Sequence, residues 1–375
     1  MNTIQYLIFL YNVVNSLQTG SSTLEFVHII FRHGARTPEI KDTYPTDPYK
    51  ADAFLPMGYG ELTKLGKRQE YELGKMLRQR YNEFLGKLFY PEMALARSTD
   101  YSRTKMSALL VLAGLFPPSE SEIWNEQLPW QPIPVAYEKF NEDTLLVRAH
   151  HFCPKYVQQY NEAQNSTEVQ TFLRNHKDSM EYISNHTGMK METIYDGFFL
   201  YQTLLAEDKM NLTLPEWTKK VYPEILSKFA LERCILENFT PDMKKLQGGR
   251  IWQQILKNMI SKSKNELQPE RRKIILYSGH DYVVYNTLVA LNLTEPHFPE
   301  YSAAVIIELH RIEGNEYGIK ILYSRSRESE IEVLKLKNCK EICPLKDFLT
   351  LTKPLIPGNY TAECESNIDL DSRLR

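Results

Sequence analysis

Three separate stretches of the chain carry side chains that could bind and cleave a phosphate ester. In chain order these side chains are Arg32, His33, Arg36, Arg97, His280 and Asp281. Arginine presents a fixed fork of N–H donors that matches phosphate oxygens, so three arginines could hold a doubly charged tetrahedral anion. Because the sequence shows no recognisable cluster of metal ligands, we expect a side chain, with no metal or cofactor, to supply the nucleophile.

The histidines and the aspartate have complementary roles in such a reaction. The neutral imidazole of His33 is the expected nucleophile, and its attack on phosphorus would give a phosphohistidine. Asp281, beside the phosphate-binding His280, is the expected acid that protonates the departing alcohol. Flanking arginines lower the pKa of such a carboxyl and a dianionic substrate raises it, which predicts activity mainly in acid. Arg103 is interpreted as pairing with a nearby carboxylate and supporting only its helix.

The reactive residues are expected at the ends of buried strands. Apolar, β-rich runs at residues 24–31, 93–96 and 273–278 come directly before the three reactive stretches. In an open α/β sheet, ligands bind in the crevice outside the carboxyl ends of the strands. The sequence therefore predicts that three strand ends bring these side chains together.

Helical patterns follow each of these strands. Apolar residues recur at helical spacing over residues 63–85, and residues 104–115 and 282–291 are also interpreted as helices. Strands that alternate with helices indicate an α/β fold whose sheet is covered by helices on both faces. Antiparallel additions that make the sheet mixed are expected where strand character returns, at residues 303–309, 317–323 and 331–336.

Residues 153–264 differ from the rest of the chain in composition. The β-branched runs disappear there, and charged helical stretches replace them. We interpret this segment as an inserted, mostly helical cap domain. The α/β catalytic core is then discontinuous, made of residues 23–152 and 265–364, and a polar tail follows at residues 365–375.

The first 22 residues are interpreted as a secretory signal peptide. Residues 4–14 form an apolar run that is too short to span a bilayer, and small residues follow it. The usual Lys or Arg before the run is missing, and a buried first strand is the alternative. Because no later apolar segment is as long as the roughly 18 residues of a membrane span, no membrane anchor is predicted.

Other features agree with secretion, in preference to a lysosomal location. Six sequons for N-glycosylation occur, at Asn165, Asn185, Asn211, Asn238, Asn292 and Asn359. Five cysteines would leave at least one thiol unpaired in an oxidising compartment. The formal net charge of -2 and the scattered charges show no basic stripe, so nucleic acid is not an expected partner.

Residues 32–38 (RHGARTP) resemble the R-H-G-x-R-x-P signature of the histidine acid phosphatase family. The dipeptide at His280 and Asp281 is similar to the distal His-Asp pair of that family. Further segments, such as RSTD at residues 97–100 and LQGG at residues 246–249, resemble its prostatic, lysosomal and insect venom branch. The resemblance extends from about residue 24 to residue 364.

The resemblance implies a phosphoglycerate-mutase-like α/β core and the residue roles given above. It also implies metal independence, phosphate monoesters of small molecules or proteins as substrates, and a possible homodimer. Its cysteine pattern implies bridges from Cys153 to Cys364 and from Cys339 to Cys343. Cys234 is then expected to be a buried free thiol, with an intermolecular bridge as the alternative. Relatives usually have threonines after the aspartate, so Tyr282 and Val283 here predict a different pocket shape.

Three other functions are compatible with parts of the pattern. A phytase or inositol-polyphosphate phosphatase would need extra cations in its cleft, and residues 153–264 show no such excess. A catalytically inactive secreted binding protein would not need all six polar residues. A transferase similar to phosphoglycerate mutase shares the R-H-G motif, but the signal segment and the sequons disfavour a cytosolic metabolic role.

Overall fold

A central strand places the first reactive residues. The computed structural model describes residues 23–326 and 329–365. Strand β1 (Leu24–Arg32) is rich in β-branched and aromatic residues, and every residue from Phe26 onward is buried. Such a strand belongs in the middle of a sheet, because both of its faces are covered. It pairs in parallel with β4 (Ile274–Gly279) on one side and antiparallel with β5 (Ala304–Arg311) on the other.

The sheet is mixed, as predicted. Its strand order is β3-β2-β4-β1-β5-β6-β7, and β8 pairs with β6. The first four strands in this order are mutually parallel, and the pairings from β1 to β5 and beyond are antiparallel. The other strands are β2 (Ala94–Ser98), β3 (Val135–Tyr137), β6 (Tyr317–Ser324), β7 (Glu332–Leu334) and β8 (Cys343–Pro344). The antiparallel additions expected at one side of the sheet are thereby confirmed.

Helices cover both faces of the sheet, which also confirms the prediction. On one face, α1 (Lys64–Leu85) and α2 (Ser102–Leu115) pack against alternate residues of β1 such as Ile29. On the other face, α9 (Gly249–Ser263), α10 (Asp281–Ala290) and α11 (Leu345–Thr352) pack against residues such as Ile30. Successive strand residues point to opposite faces, so one strand contributes to both cores.

The segment predicted to be a cap is helical, but its last helix belongs with the sheet. Its helices are α3 (Pro154–Gln164), α4 (Thr167–Asn175), α5 (Lys177–Thr187), α6 (Ile194–Lys209), α7 (Glu224–Leu236) and α8 (Pro241–Gln247), followed by α9. Residues Trp252, Ile255 and Met259 of α9 lie one helical turn apart and are buried against the sheet. The expected boundary at residue 264 is therefore wrong by one helix, and α9 is part of the core.

The cysteines pair as the resemblance implied. Cys153, at the start of α3, is bonded to Cys364 in α12 (Tyr360–Cys364), and Cys339 is bonded to Cys343. Cys234 is a buried free thiol, and burial raises its pKa to about 12. Such a thiol is unreactive, because the thiolate is the nucleophilic form.

Five of the six predicted glycosylation sites have exposed asparagines, namely Asn165, Asn185, Asn211, Asn292 and Asn359. Asn238 is buried, and its side-chain amide donates hydrogen bonds to the Cys234 carbonyl and to Asn286 Oδ1. That amide is therefore engaged inside the folded protein, which disfavours a glycan at Asn238. The predicted signal segment (residues 1–22) and the tail from residue 366 lie outside the described residues. Within the described ranges, no helix combines the length and the apolar character that crossing a membrane requires.

Candidate active site

His33 lies just beyond the carboxyl end of β1, with only 2% of its surface exposed. Its Nδ1 is 2.8 Å from the carbonyl oxygen of Gly34. Because a carbonyl can only accept a hydrogen bond, Nδ1 carries the proton and Nε2 keeps its lone pair in the neutral ring. Burial, assisted by the charges of Arg103 and Arg32, lowers the pKa of His33 well below its usual value. The imidazole therefore stays neutral, and nucleophilic at Nε2, in acid.

The loop after His33 is fixed by close backbone packing against the start of α1. A Cβ atom on Gly34 would lie 2.4 Å from the carbonyl oxygen of Gly66, so only glycine fits. The Ala35 carbonyl accepts hydrogen bonds from the backbone and the hydroxyl of Thr63, the N-cap of α1. The Ala35 amide donates to Gln69 Oε1 at 2.9 Å. These contacts set the direction in which His33 and Arg36 leave the strand.

Two of the three predicted arginines lie at this strand end. Arg32 is buried, its Nη1 donates to the Pro299 carbonyl at 2.7 Å, and its guanidinium lies 4.1 Å from the centre of the Tyr301 ring. Among the described residues, Arg32 Nη2 finds no hydrogen-bond acceptor. Arg36 is also buried and lines a cavity of about 240 Å³ together with His33. Arg32 does not itself line this cavity, but its Nη2 lies 3.7 Å from Oδ2 of Asp281, which does. A buried N–H donor without a close acceptor at that position suits an incoming anion.

The prediction that Arg97 lies in the same cluster is wrong. Its guanidinium pairs with Asp143 at 2.5 Å and with Glu138 at 3.2 Å, and it does not line the cavity. The sheet register explains the error. Arg97 lies opposite Tyr277 of β4, and Tyr277 in turn lies opposite Ile30, so Arg97 is level with Ile30 and two residues short of Arg32.

Arg103 occupies the place that was expected for Arg97. It stands in the first turn of α2, is buried, and lines the cavity beside His33 and Arg36. Its Nη2 donates to Glu39 Oε1 at 2.8 Å, and the guanidinium lies over the Tyr101 ring. The pairing with a carboxylate was expected, but a place in the lining of the cavity was not. A cation in the first turn of a helix is disfavoured by the helix dipole, but this pattern alone does not indicate an anion site.

His280 follows the last residue of β4 and faces His33. The two ring centres are 5.4 Å apart, and His280 Nε2 is 3.1 Å from Thr99 Oγ1. Burial and the charge of Arg103 lower the pKa of His280 well below its usual value. His280 and His33 thus come from two parallel neighbouring strands to one side of the cavity, as the strand ends predicted.

Asp281 begins α10 and lines the same cavity as His33. Burial alone would raise the pKa of its carboxyl, but the guanidinium groups of Arg233, Arg32 and Arg148 together hold that pKa well below its usual range. The lowering of this carboxyl's pKa by flanking arginines was expected from the sequence. Arg233, which bonds Asp281 directly, was not anticipated, because it lies in the cap 48 residues away along the chain.

The remaining wall of the cavity is mixed. Its aromatic residues are Tyr101, Phe140, Tyr195, Phe198, Phe199 and Tyr282, and its other residues are Glu39, Lys41, Asp42, Val147, Arg148, His151 and Gln202. A larger cavity, of about 600 Å³, is lined mainly by residues of α1 together with Ser302, Ser324 and Ile331. It contains none of the predicted site residues, so the smaller cavity is the candidate active site.

Comparisons with known proteins agree with this geometry. Residues 23–324 match the family model described as histidine phosphatase superfamily (branch 2). The venom acid phosphatase of Apis mellifera is 38% identical over 344 residues, which cover 91% of this chain and 88% of that protein. The prostatic acid phosphatase of Homo sapiens is 36% identical over 91% of this chain and 88% of its own length. The lysosomal acid phosphatase of Homo sapiens is 34% identical over 94% of this chain and 83% of its own length.

Solved structures show the same fold at lower sequence identity. The phytase of Citrobacter braakii superimposes with a TM-score of 0.69 at 17% identity, over 92% of this chain and all of that chain. The motif at His33, the cavity around it and the long matches to named relatives all lead to one assignment. This chain belongs to branch 2 of the histidine phosphatase superfamily.

Proposed function

We propose that this protein is an acid phosphatase that hydrolyses phosphate monoesters through a phosphohistidine on His33. One observation carries the proposal. The Nε2 lone pair of a neutral, buried His33 shares a cavity with Arg36, Arg103 and the Asp281 carboxyl. The names of the relatives, which are venom, prostatic and lysosomal acid phosphatases, support the same activity.

In the first half-reaction, Arg32, Arg36, Arg103 and His280 would bind the phosphate oxygens and neutralise their charge. Nε2 of His33 attacks phosphorus as the bond from phosphorus to the ester oxygen breaks. The bound phosphate dianion raises the pKa of the Asp281 carboxyl against the effect of the arginines, so that in the complex this carboxyl can carry a proton. It gives that proton to the ester oxygen, so the alcohol leaves neutral. The products are an alcohol, a phosphohistidine and an Asp281 carboxylate.

In the second half-reaction, the Asp281 carboxylate accepts a proton from a water molecule that attacks phosphorus. The bond from phosphorus to Nε2 breaks, and the imidazole returns to its neutral form. Inorganic phosphate is released, and the carboxyl is protonated again for the next cycle. Asp281 therefore serves both steps, first as acid and then as base.

Asp42 gives the reaction a pH dependence of its own. Burial raises the pKa of this carboxyl to about 6, although Arg36, with Nη2 at 3.6 Å from Asp42 Oδ2, lowers it. Below that pH the carboxyl is neutral and Arg36 is available to the substrate. Above it, the carboxylate competes for Arg36 and repels the phosphate. We therefore expect the KM for an aryl phosphate to rise as the pH passes through about 6.

Purified protein should hydrolyse an aryl phosphate faster in acid than at neutral pH, and Asp42→Asn should weaken the rise in KM. The KM ratio of variant to wild type at each pH removes the effect of the substrate's own ionisation. Folded wild-type protein without turnover at any pH would contradict the proposed function. A strong preference for phytate over the aryl phosphate would favour the inositol-polyphosphate alternative. A KM ratio that does not change with pH would show that Asp42 does not cause the rise in KM.

The exchange of Arg97 for Arg103 leads to a direct test. Arg103→Met should lower kcat/KM for an aryl phosphate by roughly 10² to 10³, the usual cost of losing one group that stabilises developing charge. Arg97→Met is the matched control, since it removes a guanidinium that is paired outside the cavity. The control should lower thermal stability and leave kcat/KM nearly unchanged. A larger kinetic loss in Arg97→Met than in Arg103→Met would restore the original assignment.

We also propose that the protein is exported from the cytosol. Two disulfide bonds and five exposed sequon asparagines support an oxidising, glycosylating route. The relatives named above include venom and prostatic as well as lysosomal enzymes.

A further inference from the structure

A buried ion-pair network in the cap reaches the carboxyl that is proposed as the acid. Arg233 of α7 is completely buried, and its Nη2 lies 2.5 Å from Asp281 Oδ1. Its Nη1 lies 2.9 Å from Oε2 of Glu237, one helical turn later. Arg233 therefore joins a carboxylate of the cap to a carboxylate of the core.

Glu237 is also buried and is shared between two arginines. Its Oε1 lies 3.0 Å from Nε of Arg148 and 2.5 Å from the hydroxyl of Tyr195. The four ionised groups, Arg148, Glu237, Arg233 and Asp281, carry two positive and two negative charges. A buried arginine is costly unless its charge is balanced, and Glu237 provides that balance when Asp281 takes up a proton.

The contact with Arg233 makes the two oxygens of Asp281 different from each other. Oδ1 is held by Arg233. Oδ2 has weaker contacts, at 3.4 Å from Gln202 Nε2 and 3.7 Å from Arg32 Nη2. Gln202 lines the cavity, and Arg32 is proposed above to bind the phosphate. A proton for the leaving group would therefore be carried on Oδ2.

We infer that Arg233 and Glu237 form a positioning pair for the reaction. Arg233 holds Asp281 Oδ1 so that Oδ2 faces the ester oxygen, and Glu237 cancels the charge of Arg233. This inference rests on the proposed function of Asp281. It adds two cap residues that make no contact with the phosphate in the proposed mechanism. It also means that the cap contributes to the chemical step as well as to the cavity wall.

The pair should also influence the pH range in which Asp281 can act as an acid. Titratable and charged groups that interact with Asp281 come from several elements, namely Arg32, Arg36, Arg148, Arg233, Cys234, Glu237, His280 and Tyr282. Loss of the cation at Arg233 would raise the pKa of Asp281. Loss of the anion at Glu237 would lower that pKa, because both Arg148 and Arg233 would then be less compensated. The two substitutions thus have opposite expected signs.

The test measures alcohol release in single turnovers from an alkyl phosphate and from an activated aryl phosphate. Arg233→Met should slow the alkyl ester about tenfold or more, since correctly placed acid catalysis contributes roughly 10² to 10⁴, and it should slow the aryl ester much less. In a plot of alkyl-ester rate against pH, the alkaline limb, where the rate falls as Asp281 loses its proton, should move to higher pH. Glu237→Gln, which keeps the side-chain shape, should move that limb to lower pH. Arg233→Lys retains one donor for Oδ1 and should recover part of the alkyl rate.

Arg80→Met is a matched control, because it breaks an ion pair with the buried Glu308, at 2.9 Å, far from the cavity. This substitution should leave unchanged both the ratio of the two ester rates and the position of the alkaline limb for the alkyl ester. Absence of turnover in the wild type would refute the proposed function itself. With an active wild type, equal losses on both esters or shifts of the same sign in Arg233→Met and Glu237→Gln would overturn only the positioning pair. If Arg233→Met does not fold, the sign of the Glu237→Gln shift decides the question.

Discussion

Replacing His33 with alanine should abolish turnover of alkyl and aryl phosphates alike, with a loss on the order of 10⁴-fold or more, as is typical when a nucleophile is removed. The reason is that the remaining arginines can still bind phosphate but nothing replaces the Nε2 lone pair. Because both activated and unactivated esters need the same nucleophile, both should lose their reaction. Steady-state assays on both esters, together with inorganic phosphate as a competitive ligand, would measure the effect.

The matched control is His28→Ala, which removes another buried imidazole from the same strand. His28 stacks on Tyr277 in the core and does not line the cavity. Its loss should reduce stability and preserve activity. Rapid alkaline quenching during turnover should trap a base-stable phosphoryl group on the wild type and none on His33→Ala. Substantial turnover by folded His33→Ala, or a phosphoryl group on another residue, would refute the assignment.

Asp281→Asn should slow alkyl phosphates by about 10² to 10⁴, the usual contribution of a general acid, and affect the first step of activated aryl phosphates far less. An amide cannot give a proton to the departing oxygen, and a good leaving group does not need one. The second half-reaction should slow for both esters, since the same carboxylate activates water. We therefore expect a burst of phenol from the aryl ester, followed by slow turnover and accumulated phosphohistidine.

Asp143→Asn provides the comparison for Asp281→Asn. Asp143 is a fully buried aspartate that also pairs with an arginine, Arg97, but it lies outside the cavity. Its substitution should lower stability while the ratio of alkyl to aryl rates stays that of the wild type. Equal first-step losses on both esters in Asp281→Asn would remove Asp281 from the acid role.

Much of the fold could be predicted because its signals are local. The buried run of β1 ends where the pattern placed it, at Arg32, and the parallel pairing of β1 with β4 follows from two strands that each precede a helix. The helix α9 was assigned to the wrong part of the molecule for a related reason. Its apolar stripe at Trp252 and Ile255 predicts a buried helical face, but it does not indicate which surface covers that face.

The site residues likewise fall into those that a local pattern could predict and those that it could not. His33 and Arg36, and likewise His280 and Asp281, are close in the chain, so a single turn brings each set to the cavity. The choice between Arg97 and Arg103 depended on strand register, which places Arg97 two residues short of Arg32. No local pattern distinguishes an arginine at that level of the sheet from one in the first turn of the next helix.

The sequence by itself determined which reactive groups are available, because the imidazole of His33, the carboxyl of Asp281 and the guanidinium groups are fixed by residue type. Only the tertiary structure decided which charged groups surround Asp281, since Arg233 and Glu237 come from a cap helix that is distant along the chain. The physical reason is that bonding geometry is short-ranged and local in sequence, whereas electrostatic interactions and burial depend on distances that exist only after folding.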